Sequence, residues 1–331
     1  MKLIGTIVVR VKGEAILRKP RFWEKVKRTF GGDPDLRTGS MRAALEAGAI
    51  VDAVRDALTS LGATNAVSLV VDELVLFQDR EGRPDDLGDL FLAFHEQSAA
   101  IGGSFGILRL AVEHVEAGLH LVIEVQARGE HPEDEAAVRV VLSGRLADLE
   151  PKRGEDAATY RARVEPLVGD KASIDIARAQ FESFVARVRD AISRAMPEAR
   201  AEVERAQAQI QRPRDAQPAQ QPQPTDRGYD PYDAYYPSPM SSMLNMLMWS
   251  SIFSMAMHPN VIVVDAHGDS VGHVDTPGIE PADPAPAEAG GDVEGGGDAG
   301  DAGGDVEADV GGGDLDVGDA GGFDLGDIGF D

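Results

Sequence analysis

Two histidines six residues apart, His114 and His120, lie in the alternating stretch LRLAVEHVEAGLHLVIEV, where a hairpin would bring their strands side by side. Whether they could share a metal ion depends on register. A three-residue turn sets the histidines opposite each other but pairs Leu110 with Glu124. A two-residue turn at Ala117 and Gly118 pairs Leu110 with Val125 and Val112 with Ile123, and sends the histidines to opposite faces. The second register keeps one face apolar, so the expectation is a partnered core residue at His114 and a surface residue at His120.

A second concentration of ligand-type side chains lies in VIVVDAHGDSVGHVD, where Asp265, His267, Asp269 and His273 are weak candidates for a divalent cation. Turns are rich in such residues without any metal, and the pattern reads first as a hairpin, Val261 to Val264 and Val271 to Val274 with AHGD in the turn. The GDSV within it resembles the nucleophile block of GDSL-type hydrolases. The resemblance stops there, because DAH separates the serine from its strand and no folded region follows to supply the Asp and His. His95 and Glu96 begin a zinc-protease HExxH, but Ala99 stands at the second ligand position. The glycines of IGGSFG and FGGDP lack the Lys and Ser/Thr of a phosphate loop. No catalytic residue and no cofactor is assigned.

Charge is unevenly divided. The net charge of -25 over 331 residues separates into -4 up to Arg227 and -21 beyond it, with no Lys or Arg after Arg227. Acidity confined to the end of the chain is unlike halophilic adaptation, which spreads it over a folded surface. Arg10, Lys12, Arg18, Lys19, Arg21, Lys25, Lys27 and Arg28 face only Glu14 and Glu24 in their stretch and form the one dense basic patch. The whole-chain charge disfavours nucleic acid as its partner. Intramolecular contact with the acidic tail is the alternative. The tail ends in GGFDLGDIGFD, where Phe323, Leu325, Ile328 and Phe330 alternate with acids; this resembles, in layout only, the acidic tails of single-stranded-DNA-binding proteins. The absence of cysteine removes disulfides and thiolate zinc sites and permits a reducing, cytoplasmic compartment.

Between these features lies MSSMLNMLMWSSIFSMAMH, Met240 to His258, with no Asp, Glu, Lys or Arg from Ala234 to Val264. As a helix it is about 28 Å long, close to the roughly 30 Å of a hydrocarbon core. Six Ser or Asn residues, a tryptophan near its middle and the lack of a basic flank weigh against a span. Flexible, polarizable thioethers suit a surface that fits irregular partners. Met243, Leu244, Leu247, Met248, Trp249, Ile252 and Phe253 are therefore expected to dock on the parent domain, a second copy, another protein or a membrane surface.

The elements that position these groups follow from periodicity. Lys2 to Val11 reads as a strand. Phe22, Val26 and Phe30 mark a helix, and Met41 to Leu61 a longer one capped near Thr38 to Ser40 and ended by Gly62. Val67 to Phe77 reads as one central strand, and Leu87 to Phe94 as a helical stripe. Three strands near 108–114, 119–125 and 138–142 form a meander. Ile174, Ala177, Phe181, Phe184, Val188, Ile192 and Ala195 step by three and four along a long helix, and the polar stretch after Pro197 reads as a weaker one to Arg212.

The expected class is α+β: a mixed sheet with a three-strand antiparallel meander packed by amphipathic helices, then a largely disordered acidic Gly-rich tail. The expected divisions are a globular domain at 1–211 that folds alone, a Pro/Gln/Tyr-rich linker at 212–238, a Met-rich apolar helix with a short hairpin at 239–278, and the tail at 279–331. This layout reads as a non-enzymatic interaction or scaffold protein. A membrane-anchored protein with a cytoplasmic domain, and an enzyme whose site residues are too dispersed to recognise, are the alternatives.

Overall fold

The computed structural model describes residues 1–11, 39–79, 105–129, 136–213, 222–254, 261–265 and 267–274, with positions 24, 26–29, 93 and 279 besides. Nine strands form one sheet: β1 (Lys2–Arg10), β2 (Asn65–Val71), β3 (Leu74–Gln78), β4 (Ile107–Glu116), β5 (Leu119–Arg128), β6 (Val138–Leu146), β7 (Arg200–Gln211), β8 (Val261–Val264) and β9 (Ser270–His273), in the order β3-β2-β4-β5-β6-β1-β7-β8-β9. Every pairing is antiparallel except β7 with β8. Helices α1 (Gly39–Thr59), α2 (Ala157–Val168), α3 (Lys171–Ala195), α4 (Pro231–Tyr235) and α5 (Ser241–Ser254) accompany the sheet, with a 3-10 turn at Ala147–Leu149. The chain is α+β with a mixed sheet, as the alternation implied. All described residues belong to the compact unit Met1–Pro286; the second unit, Ala287–Asp331, lies wholly outside them.

The two faces of the sheet differ in chemistry. Alternation places Leu3, Ile7 and Val9 of β1, Leu110 and Val112 of β4, Leu121, Ile123 and Val125 of β5, and Val140 and Leu142 of β6 on the face covered by α1 and α3. Helix α3 is capped by Asp170, whose carboxylate accepts the amides of Ala172 and Ser173. Its stripe from Ile174 to Ile192 is buried as expected. Close approach depends on two glycines: a Cβ at Gly5 would lie 2.7 Å from Val185, and one at Gly144 would lie 2.8 Å from Leu121.

Two expectations about elements need correction. Val67 to Phe77 is not one central strand but the hairpin β2–β3 at the sheet edge. Asp72 turns it with φ 50°, and its carboxylate accepts the Gly106 and Ile107 amides at 2.9 and 2.8 Å. The stretch after Pro197 is not a helix but β7. Its Ala, Glu, Arg and Gln content favours helix in isolation, yet β1 on one side and β8 on the other satisfy its backbone, and tertiary pairing overrides propensity. Helix α2, capped by Asp156 on the Thr159 amide at 2.7 Å, carries no clear helical stripe in sequence, because its apolar positions are sparse and Pro166 interrupts the pattern.

The meander β4–β5–β6 is present with the expected two-residue turn: Leu110 pairs with Val125 and Val112 with Ile123. Ala117 and Gly118 both take left-handed backbone conformations there, φ 52° and 76°. The hairpin at the other edge forms as well, with Ile262 opposite His273.

The Met-rich segment forms α5 from Ser241 to Ser254, and Met248, Trp249 and Ile252 are buried in the same core as the sheet. Ser251 donates to the Val168 carbonyl at 2.8 Å, and Asn245 to the Gln211 carbonyl at 2.9 Å, so α5 is tied to α2 and to the end of β7. Met243, Leu244 and Leu247 are half-buried against that core, whereas Met246 remains 43% exposed. The side chain of Phe253 lies outside the described residues. Among the described residues no helix is long and apolar enough to cross a membrane.

Candidate functional site

Opposite the helices, the sheet presents polar side chains: Lys2 and Thr6 from β1, Arg109 and Glu113 from β4, His120, Glu124 and Gln126 from β5, Ser143 and Arg145 from β6, Arg205 and Gln209 from β7. The chain covers them itself. Residues 222–238, expected as a linker, include GYDPYDAYY, which lies across this face and contributes α4. Asp230 starts the strap's helix by accepting the Tyr232 amide, and Pro231 follows at the first helical position, where its missing N–H costs nothing.

Three clusters fasten the strap. Glu124, fully buried, accepts the Tyr229 hydroxyl at 2.8 Å, the Tyr235 hydroxyl at 2.9 Å and the Gln126 amide at 2.7 Å. Burial and the Glu124 charge push both phenols above the usual tyrosine range, so they act as fixed donors. Asp230 accepts from Ser143 at 2.6 Å and Arg145 at 2.6 Å and lies 3.0 Å from Lys2; Asp233 also meets Arg145 and Lys2. Burial alone would raise the Asp230 carboxyl, but Arg145 and Lys2 overcome it and hold it far below the carboxylate range.

The third cluster surrounds His120. Its Nε2 lies 2.6 Å from Glu113 and its Nδ1 2.5 Å from Glu150, while the Tyr232 hydroxyl contacts both Nδ1 and Glu150. Asn65 donates to the second oxygen of Glu113 at 2.7 Å. Burial would lower the imidazole, but hydrogen bonds to the two carboxylates win and raise its pKa to about 9. Tyr232 and Tyr236 pack on the ring, with centroids 5.2 and 5.1 Å away.

His120 is therefore not the surface residue that its alternation implied. It is 9% exposed, because the strap that covers it comes from residues more than a hundred positions along the chain. His114 is on the helix-covered face, stacked on Phe184 at 5.4 Å and 3.2 Å from Glu116. A cavity of about 320 Å³ opens beside His120 and is walled by Arg145, Glu150, Tyr160, Tyr232 and Tyr236.

A larger cleft of about 470 Å³ lies on the strap's other side, between it, β7 and the β8–β9 turn. Lys2, Arg109, Arg205 and Arg227 line it together with Gln209 and Tyr229. Its rim is set where the strap meets the turn backbone to backbone: a Cβ at Gly228 would lie 2.5 Å from the His267 carbonyl. Arg205 reaches the cleft because β7 bulges there. Thr6 pairs with Arg205 and Ile7 with Val203, leaving Glu204 as the extra residue.

Other candidates are dispersed. Asp265 accepts the His267 and Asp269 amides at 2.9 Å each, which makes it a turn residue, and Asp269 lies 3.7 Å from Arg227. His273 sits on β9, and among the described residues no three carboxylate or imidazole side chains converge as a metal site. Of the basic patch, Arg10, Lys27 and Arg28 are described, Arg10 at the end of β1 where it meets Glu202 at 2.8 Å and the other two on a helical turn at 26–29; Lys12, Arg18, Lys19, Arg21 and Lys25 lie outside the described residues, as do Phe323, Leu325, Ile328 and Phe330. No family model, no curated protein and no solved structure matches the chain.

Proposed function

We propose that the protein is a non-enzymatic binding and scaffold protein whose folded unit holds a ligand at the strapped face of the sheet without transforming it. The observation that supports this most is the state of His120. A general base works best with a pKa near the working pH and with a nitrogen free to take a proton. His120 has both ring nitrogens committed to carboxylates and a pKa of about 9, so it serves as a fixed cation in a structural network. The neighbouring cleft, by contrast, is open and lined by cations.

The Met-rich helix has its own place in this reading. Met248, Trp249 and Ile252 already have a partner in the parent core, so among the described residues of the helix a second copy or another protein would find Met246 and the half-buried Met243, Leu244 and Leu247. The helix is thus a closing element of the fold rather than a free docking surface.

The test is a thermal-shift screen of the full chain against small molecules, followed by mass analysis of each compound that raises the melting temperature. Recovery of the compound unchanged is the expected result. A chemically altered compound would overturn the reading in favour of an enzyme, and the absence of any stabilising compound would overturn it as well.

A further inference from the structure

Most charges on the polar face are matched. Lys2 and Arg145 share Asp230 and Asp233, and Arg227 faces Asp269. Two guanidinium groups in the 470 Å³ cleft are matched less completely: Arg109 has a single long contact to the buried Glu124, and Arg205 has no carboxylate partner among the described residues. Arg109 is only 17% exposed, and its Nε is buried with no hydrogen-bond partner. Its Nη1 forms a long ion pair with Glu124 at 3.6 Å, a carboxylate whose hydrogen bonds come instead from two tyrosines and Gln126, and its Nη2 donates to the Asp72 carbonyl at 3.5 Å. Arg205 donates to the Thr6 hydroxyl at 2.9 Å and lies 3.5 Å from the Arg227 carbonyl. Neither contact neutralises it. Glu204 and Asp230 act on Arg205 only at a distance, and burial together with the neighbouring Arg139 makes its charge costly.

A half-buried guanidinium without a paired carboxylate, as at Arg205, is costly, and folded chains seldom leave one unless something else completes it. The groups around it suit a small anion. Guanidinium forks match the paired oxygens of carboxylates and phosphates, Gln209 and Gln223 line the same space with neutral amides, and Tyr229 adds an aromatic wall. The three carboxylates that reach the cleft are otherwise engaged: Asp230 and Asp233 by Lys2 and Arg145, Asp265 by its own turn.

We propose that this cleft binds a small oxyanion, a carboxylate or a phosphate ester, with Arg109 and Arg205 as its principal donors. The proposal deepens the binding reading above and rests on it. It also assigns the strap a role beyond closing the fold, since Tyr229 and Gln223 of the strap form one wall of the site.

The test uses the full chain in isothermal titration at low ionic strength, with inorganic phosphate and succinate as probes and an uncharged sugar as control. At least one anion is expected to bind, and whichever binds more tightly names the source. Arg109→Gln and Arg205→Gln should each weaken it by about tenfold or more, the usual effect of losing a charged hydrogen-bond donor. A merely structural arginine would lower the melting temperature when replaced. Arg205→Gln should instead leave it unchanged or raise it, because the variant removes a half-buried charge that no described carboxylate pairs. Failure of both anions to bind, equal binding by the variants, or a large drop in the melting temperature of Arg205→Gln would overturn the proposal. If the earlier screen finds only uncharged compounds, the binding reading stands and the oxyanion assignment falls.

Discussion

His120 acts as a positive charge inserted between Glu113 and Glu150, and the energetic consequence has a definite sign. The groups facing it are those two carboxylates, the Tyr232 hydroxyl, the Tyr236 ring and, directly opposite on β6, the Arg145 side chain, whose charge is taken up by Asp230 and Asp233; the two carboxylates in direct contact decide for the imidazolium. Its pKa is raised from 6.5 to about 9 in the folded state, so the folded chain binds the extra proton more tightly than the unfolded chain does. The stability this supplies is fully present below about pH 6.5 and is lost as pH rises through about 9. Urea denaturation of the parent should therefore show decreasing stability across that window, and His120→Gln should be less stable at pH 6 with a flatter profile above it. Identical pH slopes for parent and variant would show that the histidine carries no such charge. Only Glu113, a diagonal neighbour across the β4–β5 turn, is near His120 in sequence. Alternation gave its face, but Glu150 lies beyond the next strand and Tyr232 is 112 positions away.

At the scale of elements, register and long amphipathic helices were legible, and non-local pairing was not. The turn at Ala117 and Gly118 follows from keeping Leu110 and Val112 against Val125 and Ile123, and the stripe of α3 follows from three- and four-residue spacing. β7 was misread because its Ala-, Glu- and Gln-rich sequence carries helix propensity, while its strand character is supplied by β1 and β8. The strap was misread for a related reason. Pro, Gln and Tyr cannot build a core alone, but tyrosine hydroxyls can satisfy a buried glutamate on a surface formed elsewhere in the chain. Packing of α3 on β1 yields a prediction at this scale. Gly5→Ala places a methyl 2.7 Å from Val185 and near Phe181, and overpacking of this kind costs about 1–3 kcal/mol. Ala117→Gly, by contrast, relieves a left-handed residue and should stabilise by up to about 1 kcal/mol. Urea midpoints for the two variants should move in opposite directions; a Gly5→Ala midpoint at or above that of the parent would mean that α3 does not sit so closely.

For the whole molecule, the question is where the folding unit ends. The sheet and α3 through Arg212 supply enough alternating apolar surface to suggest a self-sufficient domain at 1–211. The structure continues that core across the boundary: Met248, Trp249, Ile252, Val261 and Val263 are buried in it, and β8 covers the backbone of β7. Fully burying a large apolar side chain is worth about 1.5–3 kcal/mol, so these five outweigh most of the roughly 5–15 kcal/mol by which a domain is stable. Removing the strap would also leave Glu124, Arg145 and Lys2 without the tyrosines and aspartates that satisfy them. Residues 1–286, which retain the entire first compact unit, are expected to melt cooperatively at the temperature of the full chain. Residues 1–212 are expected to melt broadly, bind a hydrophobic dye and self-associate through the uncovered β7 edge. A sharp transition for 1–212 near the full-length melting temperature would place the boundary back at Arg212 and reduce α5, the strap and β8 to appendages on a finished fold.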